Sequence, residues 1–521
     1  MRGEPGLTGA DVLVRTLVAA GVEVCFTNPG TSEMHVVAAL DRELRLRAVL
    51  GLFEGVVTGA ADGYARIAGK PACTLLHLGP GLANGIANLH NARRARVPLV
   101  NVVGDHAVGH RLLDPPLNSD IEGLAGAVSG WVHLSKSSST VGADAARAVA
   151  ASYGPPGQIA TLILPADAAW NRAEGVGEAM APLRPSIPES RAVDMIAELL
   201  RGAGDGATLL MNGDALSERG LELAGRVHAA TGARLFADTF VTKMARGGGR
   251  VAVPKLPYYG EDVLRHLAGT RHLILVGTKA PVSFFAYPGE PGALTPEGCS
   301  VHVLARPDQH LVGALSALAE ALGASRADPG AAAREAVPLP TGALTPDSLG
   351  QALAALLPEN AIVMNEGATA ARRIPGWTTN AAPHDWMDLT GGAIGMGLPA
   401  AAGAAIAAPD RRVVSLQADG SGMYTVQALW TQAREGLDVT TIVLANRKYA
   451  ILEGEYRRTG AGEPSPKGRA LFELTRPELD WVSLARGMGV PGTRVGTADA
   501  LAEAIRKSFS EQGPFVIEAL L

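Results

Sequence analysis

Val413-Val414-Ser415-Leu416-Gln417-Ala418-Asp419-Gly420-Ser421 is an apolar run that ends in a carboxylate and two small residues. Val413–Leu416 reads as a buried strand, Ala418–Ser421 as the turn at its end, and the residues after it as a helix. Thr440-Thr441-Ile442-Val443-Leu444-Ala445-Asn446 reads as the next strand, again closing on an oxygen-bearing side chain. Asp419 and Asn446 then stand side by side at the carboxyl ends of neighbouring parallel strands, where open α/β sheets bind ligands. A carboxylate and an amide oxygen are hard donors but an incomplete set. Mg²⁺ takes such sets when phosphate oxygens complete its octahedron, so the implied ligand is a diphosphate. Taken alone, the stretch has a competing reading as an ordinary Asp-Gly-Ser turn.

The rest of the chain narrows the choice. Its 521 residues allow about three domains of ordinary size. With 47% hydrophobic and 19% charged residues and a formal charge of −5, it offers no basic surface for a nucleic-acid backbone. Cys25, Cys73 and Cys299 are odd in number and lack metal-ligand spacing, which points to reduced structural thiols and a cytoplasmic protein. Met1–Pro5 has no signal-peptide apolar core. The Ala-rich run Gly397–Ala408 is too short and too rich in small residues to cross a bilayer, and a close-packed helix is expected there.

Asn171–Glu189 and Gly323–Pro346, rich in Gly and Pro, read as linkers. They divide the chain into domains at 1–170, 190–325 and 345–521. Each alternates strand-like runs with amphipathic helices, such as Leu99–Val103 in the first, Thr208–Met211 and His272–Val276 in the second, and Thr441–Leu444 in the third. The fold class is therefore α/β, with three doubly wound parallel-sheet domains. The first and third also match without gaps at an offset of about 340. Ala60-Ala61 and Gly63 fall over Ala400-Ala401 and Gly403, Leu76 over Leu416, Arg94 over Arg434, and the Gly79-Pro80-Gly81 turn over Asp419-Gly420-Ser421.

The spacing from Gly420 to Asn446 resembles the cofactor motif of thiamine diphosphate (ThDP) enzymes, although Ala418 stands where that family usually has Gly. The resemblance implies that Asp419, Asn446 and the backbone carbonyl of Lys448 hold Mg²⁺, with Gly420 and Ser421 beside the diphosphate. It extends over nearly the whole chain, to the pyruvate-oxidase and acetolactate-synthase group. There the first domain holds the aminopyrimidine, the middle one is Rossmann-like and the last holds the diphosphate. The cofactor lies between two subunits of a homodimer or homotetramer. Asn365-Glu366-Gly367-Ala368-Thr369 resembles the first diphosphate loop, with Thr369 as a donor. Gly391-Gly392-Ala393-Ile394-Gly395-Met396-Gly397-Leu398-Pro399 resembles the segment on which the bent cofactor rests, with Ile394 as its wedge and the Gly392 carbonyl facing the amino group.

Glu54, in Leu52-Phe53-Glu54-Gly55-Val56, stands where the family's activating glutamate stands, and desolvation among apolar neighbours favours the acid over the carboxylate. The alternative is a carboxylate that caps its own helix. Asn28-Pro29-Gly30-Thr31-Ser32-Glu33 resembles a substrate loop of benzoylformate decarboxylase. The match puts Thr31 in the place of its active-site serine and His77 in that of a histidine able to relay protons. His106 and His110 share a helical spacing without an evident third metal ligand. In Ser283-Phe284-Phe285-Ala286-Tyr287-Pro288-Gly289, Phe285 takes the place of that decarboxylase's other histidine, and no flavin signature is present, so FAD is not expected.

The activity implied is decarboxylation of a 2-oxo acid followed by carboligation, as in an acetolactate synthase large subunit. The alternative is a benzoylformate-type decarboxylase releasing an aldehyde. More remote are a non-catalytic ThDP-fold subunit and a dinucleotide-dependent oxidoreductase, the latter lacking a full Gly-x-Gly-x-x-Gly.

Overall fold

The computed structural model describes residues 6–521; residues 1–5, expected to lack a signal-peptide core, lie outside the described residues. Six strands form the first sheet: β1 (Val24–Asn28), β2 (Arg47–Leu50), β3 (Ala72–Leu76), β4 (Leu99–Asp105), β5 (Trp131–Leu134) and β6 (Ile159–Pro165). Their order is β2-β1-β3-β4-β6-β5, all parallel. Every residue of β3, β4 and β6 is buried, which is why these strands read as unbroken apolar runs rather than as alternating ones.

The central sheet holds β7 (Ala207–Met211), β8 (Arg234–Ala237), β10 (His272–Val276) and β11 (Ser300–Ala305), in the order β11-β10-β7-β8. Between β8 and β10, the short strand β9 (Met244–Arg246) leaves this sheet. It joins the third one, pairing antiparallel with β13 (His384–Asp388). The third sheet is therefore not purely parallel, and its edge comes from the central stretch of sequence. Three residues are too few to carry a periodicity, so this exchange could not be read in advance. The other members are β12 (Ala361–Glu366), β14 (Val413–Ala418), β15 (Val439–Ala445), β16 (Gly492–Val495) and β17 (Phe515–Leu520), in the order β16-β17-β15-β14-β12-β13-β9.

Read from the other end, β13-β12-β14-β15-β17-β16 repeats the order of the first sheet strand for strand. The internal match thus corresponds to two units of one topology. Their equivalent helices, Glu54–Ala68 and Gly397–Ala407, cross each other, and the small residues of the repeat meet at the crossing. A Cβ added at Gly63 would fall on the carbonyl of Ala400, and one added at Gly403 on the carbonyl of Ala60. The Ala-rich run is a buried helix. Gly79-Pro80-Gly81, expected as a turn, is the first turn of the helix Leu78–Ala95, a position where Pro costs no hydrogen bond. Among the described residues no helix is long and apolar enough to cross a membrane.

Candidate active site

Asp419 opens a short helical turn directly after β14, and Asn446 follows the last residue of β15, its parallel neighbour. Asp419 is buried. One of its carboxylate oxygens accepts the N–H of Gly420 at 2.9 Å and the other that of Arg447 at 2.6 Å, which ties the two strand ends together. Burial raises its pKa above the usual carboxylate range, and the Glu518 carboxylate adds to that, while the N–H donors pull it back. Asn446 Oδ1 accepts the N–H of Lys448 at 3.1 Å.

Lys448 bridges to Glu473, but the bonds that close this bridge run from the N–H of Tyr449 to the Phe472 carbonyl and from that of Leu474 to Arg447. Among the described residues no donor reaches the carbonyl of Lys448. The loop covers Gly420 so closely that a Cβ there would lie 2.5 Å from the Tyr449 ring. A carboxylate, an amide oxygen and a free carbonyl around a backbone with no room for a side chain fit a divalent cation and a diphosphate.

The segment Gly391–Gly397 runs from β13 to the helix Gly397–Ala407, and side chains hold most of its backbone. Asn91 donates to the Ala393 carbonyl at 2.7 Å and accepts from the Ala393 N–H at 3.2 Å. The Gly395 carbonyl receives Asn88 at 3.1 Å and Thr425 at 2.9 Å, and the Gly395 N–H goes to Glu366 at 2.6 Å. Gly392 and Gly395 have φ of 76° and 97°, which a side chain would strain. Among the described residues no donor reaches the carbonyls of Gly392 and Ile394. Ile394 is half-buried, as is Thr369 in the turn after β12.

Glu54 begins its helix at 8% exposure. It accepts from Asn84 Nδ2 at 3.0 Å, a partner on the helix Leu78–Ala95, so its contact reaches across to a second helix. Gly81 lies on that helix between Glu54 and His77; a Cβ there would be 3.3 Å from each. His77 follows β3, and its Nδ1 is 2.7 Å from Glu33 Oε2. Glu33 is fully buried. It also accepts the Gly30 N–H at 2.9 Å and the Ser32 hydroxyl at 2.7 Å.

Thr31 is exposed at the start of this turn, and the hydroxyl that meets His77 Nδ1, at 3.3 Å, belongs to Ser32. Neither Glu33 nor Ser32 stands out along the sequence as a functional residue. The signal present was Gly-Thr-Ser-Glu, whose glutamate folds back onto the backbone three residues earlier. His106 and His110 stack edge to face at 5.6 Å, and among the described residues no His, Cys, Asp or Glu completes a metal cluster with them.

From the central unit, Phe284 rather than Phe285 reaches the Gly391–Gly397 segment. A Cβ on Gly392 would lie 2.6 Å from the Phe284 ring, which also packs on Phe240 and Tyr258 at 5.8 and 5.4 Å. A cavity of about 940 Å³ at the carboxyl ends of the central strands shares Phe284 and Gly391 with this segment, but neither Glu54 nor Asp419 lines it. The helix Ala450–Arg458, beyond the Asn446 loop, docks on the same unit. Tyr287 donates to Glu455 at 2.7 Å, and the Arg458 guanidinium lies 3.9 Å from the Tyr259 ring centre while pairing with Glu261.

Comparison with known proteins bears on this arrangement. The family model of the N-terminal TPP binding domain of thiamine pyrophosphate enzymes matches residues 7–123, and that of the C-terminal TPP binding domain matches residues 369–519. IlvX of Mycobacterium tuberculosis, a candidate acetolactate synthase large subunit, is 52% identical over 518 residues, 99% of each chain. Benzoylformate decarboxylase of Pseudomonas aeruginosa is 29% identical over 526 aligned positions, 96% of each. Among solved structures, the thiamine diphosphate-dependent 4-hydroxybenzoylformate decarboxylase of Rhodococcus jostii superposes with a TM-score of 0.85 at 25% identity, covering 99% of both chains.

Proposed function

The chain belongs to the thiamine diphosphate enzyme family, and from that premise we propose that it binds ThDP with Mg²⁺, decarboxylates a 2-oxo acid and joins the product carbon to a second carbonyl, as an acetolactate synthase large subunit does. The observation that carries this reading is the set of unclaimed oxygens. Among the described residues no donor reaches the Lys448 carbonyl, beside Asp419 and Asn446, or the Gly392 carbonyl, on a segment otherwise held by side chains, which supports a metal at the first and the aminopyrimidine at the second.

When bound, the cofactor supplies a carbon nucleophile and an electron sink for loss of CO₂. The chain's own residues orient it and move protons. Glu54 would hydrogen-bond the pyrimidine ring, with Asn84 fixing its other oxygen. The Gly392 carbonyl would accept from the amino group, Ile394 would pack against the rings, and Thr369, Gly420 and Ser421 would receive the diphosphate. Asp419, Asn446 and the Lys448 carbonyl would hold the Mg²⁺. Glu33 accepts the Nδ1–H of His77, which leaves Nε2 as the acceptor of the neutral ring, free to take up a proton and then, as an N–H, to face a substrate carboxylate or give that proton back. Thr31 lies on the same loop.

Carboligation is favoured over simple protonation because Phe284, not a second histidine, stands against Gly392. Release of an aldehyde is the second reading, supported by the Glu33–His77 pair and by the likeness to benzoylformate and 4-hydroxybenzoylformate decarboxylases. The working unit is a homodimer or homotetramer with the cofactor between subunits.

The test is CO₂ release from a panel of 2-oxo acids, pyruvate and benzoylformate included, with ThDP and Mg²⁺, for the wild type and Glu54→Gln. Release that needs the cofactor and falls at least 100-fold in the variant is expected, with a 2-hydroxy ketone as product. An aldehyde would transfer the assignment to the second reading, and a wild type that binds no ThDP would sink both.

A further inference from the structure

Glu366 ends β12 with its carboxylate turned to the start of the helix Gly397–Ala407, at 4% exposure. One oxygen accepts the Gly395 N–H at 2.6 Å. The other accepts the Gly397 N–H and the Gln417 side-chain amide, the latter at 3.3 Å. The same Gln417 amide donates to Ser421 Oγ at 2.6 Å. A Cβ on Gly397 would lie 2.8 Å from the carboxylate, so the backbone approaches it as closely as a glycine permits.

A buried carboxylate at a helix start can be a cap and nothing more. Two contacts go beyond that. Gly395 lies outside the helix, directly after Ile394, and Gln417 leads away from the helix to the hydroxyl beside Asp419 and Gly420. We propose, on the cofactor reading above, that Glu366 is a positioning residue: through Gly395 it fixes the Gly392–Ile394 perch, and through Gln417 it fixes Ser421, so that the two ends of the bent cofactor are received in one register.

Burial pushes the Glu366 carboxyl up to about 7, against the pull of its N–H donors. The groups that face it are neutral: the backbone of Gly395–Gly397 and Gln417 from β14. The Arg66–Asp62 pair of the helix Glu54–Ala68 stands behind Met396, whose sulfur is 3.7 Å from Arg66, and Asp419 lies beyond Ser421. A protonated carboxyl keeps one strong acceptor oxygen, while its hydroxyl oxygen accepts only weakly and must itself find an acceptor, so the hold on the Gly395 and Gly397 N–H groups weakens and the clamp loosens as the still-buried group gains its proton.

The experiment compares the wild type, Glu366→Gln and Gln417→Met, each as the full chain at pH 6 and pH 8. It reads hydrogen exchange over residues 391–397 without cofactor, the Kd for ThDP with Mg²⁺ by tryptophan fluorescence, and the KM for the 2-oxo acid at saturating ThDP. For the wild type, protection of the segment, corrected for intrinsic rates, falls at least fivefold from pH 8 to pH 6. Glu366→Gln raises the ThDP Kd at least tenfold at pH 8 and removes the pH dependence, with KM changed less than threefold. Gln417→Met keeps the helix cap and the melting temperature but still raises the ThDP Kd severalfold, which answers a Glu366→Gln variant that fails to fold. Variants that bind ThDP like the wild type overturn the proposal. A wild type that binds none refutes the cofactor reading and the positioning role with it.

Discussion

Glu33 shows what a single residue in this chain does and how little of it is visible along the sequence. Its carboxylate gathers three donors, the Gly30 N–H, the Ser32 hydroxyl and His77 Nδ1, and a Cβ on Gly104 would run into it. Replacing it by Gln turns one acceptor oxygen into an N–H₂ group that faces a donor, and a buried donor left unmatched costs about 1–3 kcal/mol. Glu33→Gln is therefore expected to lower the urea midpoint and to reduce kcat at least tenfold while the ThDP Kd stays within twofold, measured on the same preparation. Loss of ThDP binding instead would mean that this loop serves the cofactor and not the substrate. The loop was recognisable from Asn28-Pro29-Gly30, but Ser32 and not Thr31 meets the histidine, since a three-residue 3₁₀ turn (Thr31–Glu33) decides which hydroxyl points inward and no periodicity records that choice. Asp419, Asn446 and Glu54 were legible for the opposite reason. Each sits at the end of a strand or the start of a helix, where topology alone sets its position.

At the level of elements, the crossing of the helices Glu54–Ala68 and Gly397–Ala407 turns a weak internal repeat into a physical joint. Gly63 meets Ala400 and Gly403 meets Ala60, equivalent positions exchanged across the joint, and in each case the obstacle to a side chain is a backbone carbonyl that cannot rotate away. Gly63→Val must separate the helices, and overpacking of this kind costs about 3 kcal/mol. The expected outcome is a large fall in the denaturation midpoint together with loss of ThDP binding, because Glu54 and the Ile394 segment stand at the starts of these two helices. Gly109→Ala, with open space around its Cβ, serves as the control and leaves both unchanged. A Gly63→Val variant as stable as the wild type would show that the helices can slide apart freely, and the joint would lose its role in setting the site. The repeat foretold which helices correspond but not that they touch, since an alignment of two segments says nothing about their contact. Gly79-Pro80-Gly81 misled in a related way. Gly and Pro mark turns and first helical turns alike, and only the residues after them decide.

Over the whole molecule the three sheets were legible, but their docking was not. β9 crosses from the central stretch to the third sheet and pairs with β13, where His384 lies opposite Arg246. Burial holds His384 down to about 4, with Arg246 and Arg250 opposing its charge, and its Nε2 has no partner among the described residues. An unfolded histidine binds its proton near pH 6.5. Between about 4 and 6.5 the unfolded chain therefore carries more protons at this position, and the His384 contribution to stability is lost as pH falls through that window. Glu366 works the other way. Its carboxyl is raised from 4.5 to about 7 by burial, so the folded chain carries more protons between those values, and its contribution is lost as pH rises. Each shift corresponds to about 3 kcal/mol, and the two windows overlap with opposite slopes. The full chain without cofactor should therefore show little pH dependence from these two groups between pH 5 and pH 6.5. Removing either one unmasks the other. His384→Gln should give a urea midpoint that falls as pH rises from 5 to 7, and Glu366→Gln one that rises over the same range. Parallel curves for the two variants would mean that these groups do not govern the acid limb, and that the ion pairs joining the units, such as Lys255 with Asp388, set it instead.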